Sequence, residues 1–89
     1  MVKKVVETKK FEKEFKKMIK RGKDPKKLFT FVRLLANESY PLPEHYRDHP
    51  LKQFKDVRDA HIEPDWVLFY RVTTKEVELI RTGTHSDLF

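Results

Sequence analysis

The sequence predicts an α+β domain in which an N-terminal strand and a helix hairpin pack on a small antiparallel sheet. Two observations support this prediction. The first 36 residues show the one-sided apolar periodicity of helices, and residues 55–82 contain three short strand-like runs separated by turns. At 89 residues the chain has room for one modest core, so we expect a single domain over residues 1–89.

The N-terminal elements follow from valines, helix caps and apolar stripes. The run "VKKVVE" predicts a first strand, and Thr8 can cap a helix that ends near Gly22. Asp24 followed by Pro25 predicts the start of a second helix. The predicted buried stripes are Phe11, Phe15, Met18 and Ile19 in the first helix, and Leu28, Phe29, Val32, Leu35 and Ala36 in the second. The connection between the two predicted helices is short, which predicts an antiparallel hairpin. Its apolar stripes need a sheet to cover them.

The second half begins with an irregular segment and continues with strands. Periodicity disappears from Asn37 to Phe54, where three prolines indicate an ordered connection. The runs "KDVRDAHI", "WVLFYRV" and "EVELIRT" then predict three strands, with "EPD" and "TTK" as turns. Their spacing is that of consecutive hairpins, so we expect an antiparallel meander.

The charge distribution favours a polyanionic partner. The net charge is +6, but residues 1–33 have a balance of +9 and residues 34–89 one of −3. Such a basic field attracts nucleic acid, although a merely solvated helix face is the alternative. The chain contains no cysteine, which excludes disulfides and thiolate chemistry. No run approaches the ~20 apolar residues of a membrane span, so we expect a cytoplasmic protein without membrane contact.

Four histidines, at positions 45, 49, 61 and 85, are candidates for proton transfer near neutral pH. A compact meander could bring His49, His61 and His85 to one edge of the sheet, although each could instead be an ordinary structural residue. No close pair of ligands indicates a zinc site, so no metal is expected. No serine occupies a strand-turn-helix elbow, and the two glycines are too far apart for a phosphate-binding loop.

Metal-free RNA cleavage fits the remaining inventory. That reaction needs a base, an acid and a positive group near the phosphorus. The histidines, Asp65 and Arg81 supply these groups. For Arg81, an ion pair with Glu63 or Asp59 is the alternative to a phosphate contact.

Two aromatic residues near these groups could hold a base by stacking. Trp66 precedes an apolar run, so a place in the core is the alternative for it. Phe89 has less reason to be buried, because it is the last residue of the sequence. Stacking on an aromatic ring contributes ~1–3 kcal/mol per base in single-strand binders.

Three blocks, "YRDHPLK", "RDAHIEPDWVLFYRV" and "RTGTHSDLF", resemble the signature blocks of YafQ-type toxins in the RelE/ParE superfamily of bacterial type II toxin-antitoxin systems. The resemblance covers the whole chain. It implies a RelE-like fold and a ribosome-dependent mRNA interferase that cuts mRNA in the A site, with the 2'-hydroxyl as nucleophile and without metal or cofactor. The implied partners are a cognate antitoxin, the ribosome with its RNA, and mRNA.

The resemblance also implies functional residues. It implies catalytic roles for His49, His61, Asp65 and His85, and substrate contacts for Trp66, Arg81 and Phe89. We expect His85 to be the general acid, with His61 or Asp65 as the base or its orienting partner. One departure is Gln53, which stands where the family commonly has a glycine. The alternatives are a ParE-like protein that targets gyrase and a non-catalytic RNA-binding module.

Overall fold

A computed structural model describes residues 2–89 of the protein. The elements are β1 Lys4–Glu7, α1 Lys9–Lys20, α2 Pro25–Ala36, a 3₁₀ turn Glu44–Tyr46, β2 His49–Pro50, β3 Arg58–Glu63, β4 Trp66–Val72, β5 Glu76–Gly83 and α3 His85–Leu88. The predicted α+β class is confirmed. The 3₁₀ turn, β2 and α3 are elements that the sequence did not predict.

The five strands form one mixed sheet in the order β1-β5-β4-β3-β2. The predicted meander is confirmed, because β3 pairs antiparallel with β4 and β4 pairs antiparallel with β5. The first strand adds a parallel pairing that was not predicted, with Lys4 of β1 opposite Glu76 of β5. A parallel pair requires a crossover connection, and the helix hairpin after β1 is part of it.

The predicted helix ends are confirmed. Thr8 caps α1, with its hydroxyl oxygen 3.0 Å from the Phe11 amide that donates to it. Gly22 follows the end of α1 with a φ of +95°, a backbone conformation that favours glycine. Asp24 caps α2 by accepting from the Lys26 amide. At 12 residues each, α1 and α2 are too short to cross a membrane, and no other helix within residues 2–89 is long and apolar enough.

The buried face of α2 is as predicted at Leu28, Val32, Leu35 and Ala36 and differs at Phe29. Phe31 is 0% exposed, whereas Phe29, which was predicted to be buried, is 44% exposed. Phe31 lies three residues after Leu28 and four before Leu35, so these three side chains share one face of the helix. The ring of Phe29 instead packs edge-on against that of Phe15 at the flank of the hairpin.

The two faces of the sheet have different environments. The larger core cluster lies beneath the helices and includes Trp66 and Leu68 of β4. The alternate residues Val67 and Phe69 belong to a smaller cluster on the opposite face, together with Val57. We call this opposite face the outer face. It also carries those residues of β3 that alternate along the strand with the core residues of β3.

Candidate active site

Three imidazoles from separate segments lie in a row on the outer face. His49 comes from β2, His61 from β3 and His85 from the start of α3. The ring centroids of His49 and His61 are 6.5 Å apart, and those of His61 and His85 are 5.2 Å apart. The ring of Phe89 continues this histidine row, 5.5 Å from that of His85. The structure therefore brings together the three histidines that the sequence placed at one edge, while their roles remain predictions.

His49 is held in place by the residue before it. The Asp48 carboxylate accepts hydrogen bonds from Nη2 and Nε of Arg58 on β3, at 2.7 and 3.2 Å. The hydroxyl of Tyr70 on β4, a residue only 1% exposed, donates to the same carboxylate. Because Asp48 adjoins His49, this anchor fixes the short pairing in which His49 lies opposite Asp59.

A capped helical turn positions His85. The side chain and backbone of Thr84 and Asp87 exchange hydrogen bonds in a capping box, at 3.2 and 3.0 Å. Arg21, at the end of α1, donates to Asp87 at 2.8 Å and holds the pKa of that carboxyl well below its usual range. A Cβ at Gly83 would lie 3.0 Å from the Cβ of Asp87, so a larger residue here would require the Asp87 side chain to shift.

The carboxylate nearest the histidine row is Asp59. It lies two residues before His61 on β3, so both side chains are on the outer face. Its Oδ1 is 3.0 Å from Nδ1 of His49, and the residue is 3% exposed. The same Nδ1 is 2.7 Å from the Arg47 carbonyl oxygen, which can only accept. Nδ1 of His49 therefore carries hydrogen, and Nε2 is the nitrogen left to exchange a proton.

Burial biases two groups of the site toward their neutral forms. Burial raises the pKa of Asp59, an effect that the imidazoles of His49 and His61 partly offset. Burial lowers the pKa of His61, an effect that Asp59 partly offsets. Within residues 2–89, neither Oδ1 of Asp59 nor Nδ1 of His61 has a hydrogen-bond partner. Neutral imidazole is the form that takes up a proton, so His61 is suited to act as a base.

Asp59→Asn is expected to stabilise the protein by about 1 kcal/mol at neutral pH while it lowers activity. The raised pKa of Asp59 means that the folded state disfavours its charge, and this penalty is full above the folded pKa. The gain should therefore disappear as the pH falls below the unfolded value of about 3.9, where aspartate is neutral in both states. Thermal unfolding between pH 3 and 8 measures it.

The control for this substitution is Asp65→Asn, which removes an exposed carboxylate. We expect no comparable change in its stability, because surface substitutions usually stay within about 0.5 kcal/mol. A loss of stability in Asp59→Asn at neutral pH would contradict the argument, since it would show that the Asp59 charge is net favourable.

Two cavities open beside the histidine row. One of about 420 Å³ is lined by His45, Arg47, His61, Ile62, Glu63, Pro64 and His85. The other, of about 370 Å³, is lined by His49, Pro50, Leu51, Lys52, Asp59, His61, His85 and Phe89. Both cavities include His61 and His85, so a ligand in either would contact this pair.

Trp66 lies in the core. Its side chain is 0% exposed, on the face covered by the helices. Its indole Nε1 donates to the Thr82 hydroxyl at 2.8 Å, and that hydroxyl donates to the Val67 carbonyl. The expectation that Trp66 stacks on a base is therefore corrected, because no face of the ring is accessible. The indole instead joins β4 to β5.

Arg81 lines neither cavity of the row. Its guanidinium donates to both carboxylate oxygens of Glu14 on α1, with the Nη2 contact at 2.6 Å. The alternative of an ion pair is thus correct, but the partner is neither Glu63 nor Asp59. Glu14 raises the pKa of Arg81 by accepting these hydrogen bonds. Arg81 therefore joins α1 to β5, and the expected phosphate contact does not follow from its position.

Asp65 and Phe89 occupy different positions relative to the row. Asp65 is exposed in the turn between β3 and β4, where its neighbour Pro64 lines a cavity and Asp65 does not. Asp65 adds to Asp87 in raising the pKa of Arg21. Phe89 is 60% exposed and lies in the row, so its ring is available for stacking. The catalytic role of Asp65 remains a prediction.

No group of three or more histidine, aspartate or glutamate side chains within residues 2–89 has the geometry to hold a metal ion. His45 lines one cavity but lies outside the row, with its ring centroid 4.1 Å from that of Tyr46.

Sequence reasoning gave no site role to Asp59, Arg47 or Lys52. A signal existed for Asp59, because it precedes His61 by two residues on a predicted strand and so shares its face. Arg47 faces a cavity through a left-handed backbone conformation with a φ of 48°. That conformation depends on the tertiary contacts around it, and sequence periodicity could not show it.

The fold and the histidine row together define a small α+β protein with a candidate acid-base site on the outer face of its sheet. A family described as "Bacterial toxin of type II toxin-antitoxin system, YafQ" matches residues 3–89. The chain therefore belongs to the YafQ family of type II toxins, and the resemblance that the sequence blocks predicted is confirmed.

Relatives and solved structures agree with this assignment. The chain is 49% identical over 80 residues to the "mRNA interferase toxin YafQ" of Escherichia coli strain K12, covering 89% of this chain and 87% of that protein. The toxin in the crystal structure of the E. coli DinJ-YafQ toxin-antitoxin complex superposes with a TM-score of 0.92 at 43% identity, covering 100% and 99% of the two chains. A metal-bound toxin from Helicobacter pylori superposes with a TM-score of 0.91 at 41% identity over both full chains.

Proposed function

We propose that the protein is an endoribonuclease that cuts mRNA in the ribosomal A site, with the 2'-hydroxyl as nucleophile. The observation that carries this proposal is the histidine row, in which His61 and His85 lie 5.2 Å apart, ring to ring, beside open cavities. The E. coli relatives are named mRNA interferase toxins. Membership of the family and the chemistry of the row therefore support the same activity.

The cut needs two proton transfers. His61 takes the proton of the 2'-hydroxyl, because burial favours its neutral form. The 2'-oxygen then attacks phosphorus and forms a 2',3'-cyclic phosphate. As the bond between phosphorus and the 5'-oxygen breaks, His85 donates a proton to that oxygen. Asp65, in the exposed turn beside Pro64, is the alternative base.

Positive charge and stacking complete the proposed site. His49 lies 3.0 Å from the buried Asp59 carboxylate, and its imidazolium form supplies positive charge next to the crowded phosphorus. Lys52 lines the same cavity and adds a second positive charge. Phe89 holds a base by stacking, a contact that contributes ~1–3 kcal/mol in single-strand binders.

The lysines of α1 support ribosome binding. Lys13, Lys16, Lys17 and Lys20 are exposed along this helix, and no carboxylate within residues 2–89 pairs with them. Unpaired lysines on one helix attract phosphates by releasing counterions. In this proposal α1 contacts ribosomal RNA and contributes to binding. The histidine row therefore needs only a few charges, positioned next to the reacting phosphate.

A cognate antitoxin is the second proposed partner. The E. coli relative was solved as a toxin-antitoxin complex with DinJ. We expect an antitoxin encoded beside this chain to bind it and suppress its activity. Growth arrest on induction of the chain alone, and rescue on co-induction with the neighbouring gene, tests this partner.

The function is tested on translating ribosomes. Purified protein is added to programmed ribosomes, and message ends are mapped and analysed for phosphate. We expect a cut in the A-site codon that leaves a 2',3'-cyclic or 3' phosphate and persists with 1,10-phenanthroline, which chelates transition metals. Intact messages would contradict the proposal, and inhibition of gyrase instead would support the ParE-like alternative. Loss of cutting with the chelator would overturn the metal-independent chemistry alone.

A further inference from the structure

A third cavity lies on the outer face and takes no part in the proposed chemistry. Its volume is about 650 Å³, which exceeds that of either cavity of the row. Val57, Phe69, Ile80 and Leu88 form its apolar floor. The side chain of Phe54 lines it and is 54% exposed, so its ring is accessible to a ligand. We call this cavity the flanking groove.

The flanking groove is continuous with the histidine row. The ring of Phe89 stacks 5.5 Å from that of His85 on one side and meets that of Phe69 edge-on at 5.4 Å on the other. Leu51 and Lys52 line the cavity of the row, and residues 53–55, which follow directly, line the groove. An extended chain bound at the row can therefore continue into the groove along one segment of the protein.

The charges of the flanking groove fit a phosphate backbone. Lys10 and Lys55 line it, and neither has a carboxylate partner within residues 2–89. Its one acidic residue, Glu78, pairs with Arg71, while Arg81 pairs with Glu14. Unpaired lysines beside an exposed aromatic ring are the combination with which proteins bind single-stranded nucleic acid.

We propose that the flanking groove binds one base of the message next to the scissile phosphate. Phe54 stacks on this base, and Lys10 and Lys55 contact the phosphates beside it. The inference rests on the proposed function and adds a second nucleotide subsite to it. The apolar floor excludes water from the other side of the base, which strengthens the stacking.

The experiment combines a side-chain deletion with a base deletion. Ribosomes are programmed with short messages in which one nucleotide near the cut is abasic, and wild type is compared with Phe54→Ala. On the intact message we expect kcat/KM of Phe54→Ala to be about ten-fold lower, with the cut in the same place. With wild type, one abasic position should lower kcat/KM by the same factor. With Phe54→Ala, the same abasic position should lower kcat/KM no further, because the stacking contact is already lost.

Phe29→Ala is the matched control, since Phe29 is also partly exposed but lies on α2, on the opposite side of the sheet. It should cleave like wild type. The inference would be overturned if the losses caused by Phe54→Ala and by the abasic nucleotide were additive at every position. Full activity of Phe54→Ala would overturn it as well. So would weaker antitoxin rescue of Phe54→Ala with unchanged cleavage, because the groove would then bind protein.

A second measurement separates this inference from the proposed function. Fluorescence anisotropy follows binding of the same intact and abasic RNAs to the free protein. Phe54→Ala and the one abasic position should weaken binding by the same, non-additive factor. A wild type that binds in this pattern but cuts no message would refute the proposed cleavage while supporting the groove. If wild type and Phe54→Ala bound all of these RNAs equally well, the proposed nucleotide subsite in the groove would be contradicted.

Discussion

Replacing His85 with alanine is expected to slow message cleavage by about 10²–10⁴-fold without unfolding the protein, because general acid catalysis contributes a factor of this size. The side chain is exposed at the start of α3, so its removal opens no cavity in the core. Single-turnover cleavage on programmed ribosomes measures the effect, since this regime separates the chemical step from binding and product release.

The pH dependence of the same variant separates the acid from the base. His61 must be neutral to accept a proton, and burial lowers its pKa from the ordinary 6.5. Wild-type cleavage should therefore fall on the acidic side only when the pH drops through that lowered value. On the alkaline side it should fall as the general acid loses its proton. His85→Ala is expected to keep the acidic fall and lose the alkaline one.

Ser86→Ala is the control, because it changes the next exposed residue of α3 and leaves the capping box intact. It should cleave like wild type. Full cleavage by His85→Ala would remove the acid role from this residue. If His49→Ala were instead the variant without the alkaline fall, His49 would be the acid, donating through the Nε2 that its contact with Arg47 leaves available.

Local signals in the sequence predicted most of the fold. Thr8 and Asp24 begin helices because their side chains accept hydrogen bonds from amides one turn into the helix or closer, and such bonds depend on few neighbours. The parallel pairing of β1 with β5 joins residues more than 70 positions apart, and no local pattern encodes it. The same limit applies to Phe29, where helical spacing allowed two faces and packing against the sheet selected Phe31.

The site was predictable in its imidazoles and less so in their surroundings. His61 lies in β3 and His85 directly follows β5, so the proximity of these two followed from the predicted meander. His49 lies in β2, a strand that the sequence did not predict. Trp66 shows how strand parity decides a role, because it shares the helix-covered face with Leu68. The contact of Arg81 with Glu14 spans 67 residues and depends on how α1 lies over β5. That geometry exists only in the folded chain.

Removing the Asp48 carboxylate is expected to destabilise the protein by about 3 kcal/mol and to displace His49. In Asp48→Ala the buried Tyr70 hydroxyl loses its acceptor, and Arg58 loses both of its hydrogen bonds. A buried donor without a partner costs about 1–3 kcal/mol, and hydrogen bonds to charged groups contribute about 1.5–3 kcal/mol. Urea unfolding measures the change in free energy.

The controls separate this anchor from a general effect of lost charge. Glu44→Ala removes an exposed carboxylate from the same irregular segment and should change stability by less than about 0.5 kcal/mol. Asp48→Asn keeps one acceptor oxygen and should lie between wild type and Asp48→Ala.

The positioning role has its own readout, the nuclear Overhauser contact between the rings of His49 and His61, measured by NMR in Asp48→Asn. The Asp48 anchor and the short pairing of β2 hold His49 next to His61, so the loosened variant should weaken this contact. Its cleavage should fall with unchanged RNA binding. A destabilised variant in which the two rings kept their wild-type contact would show that other contacts hold β2, because the position of His49 would have survived the loss of the anchor.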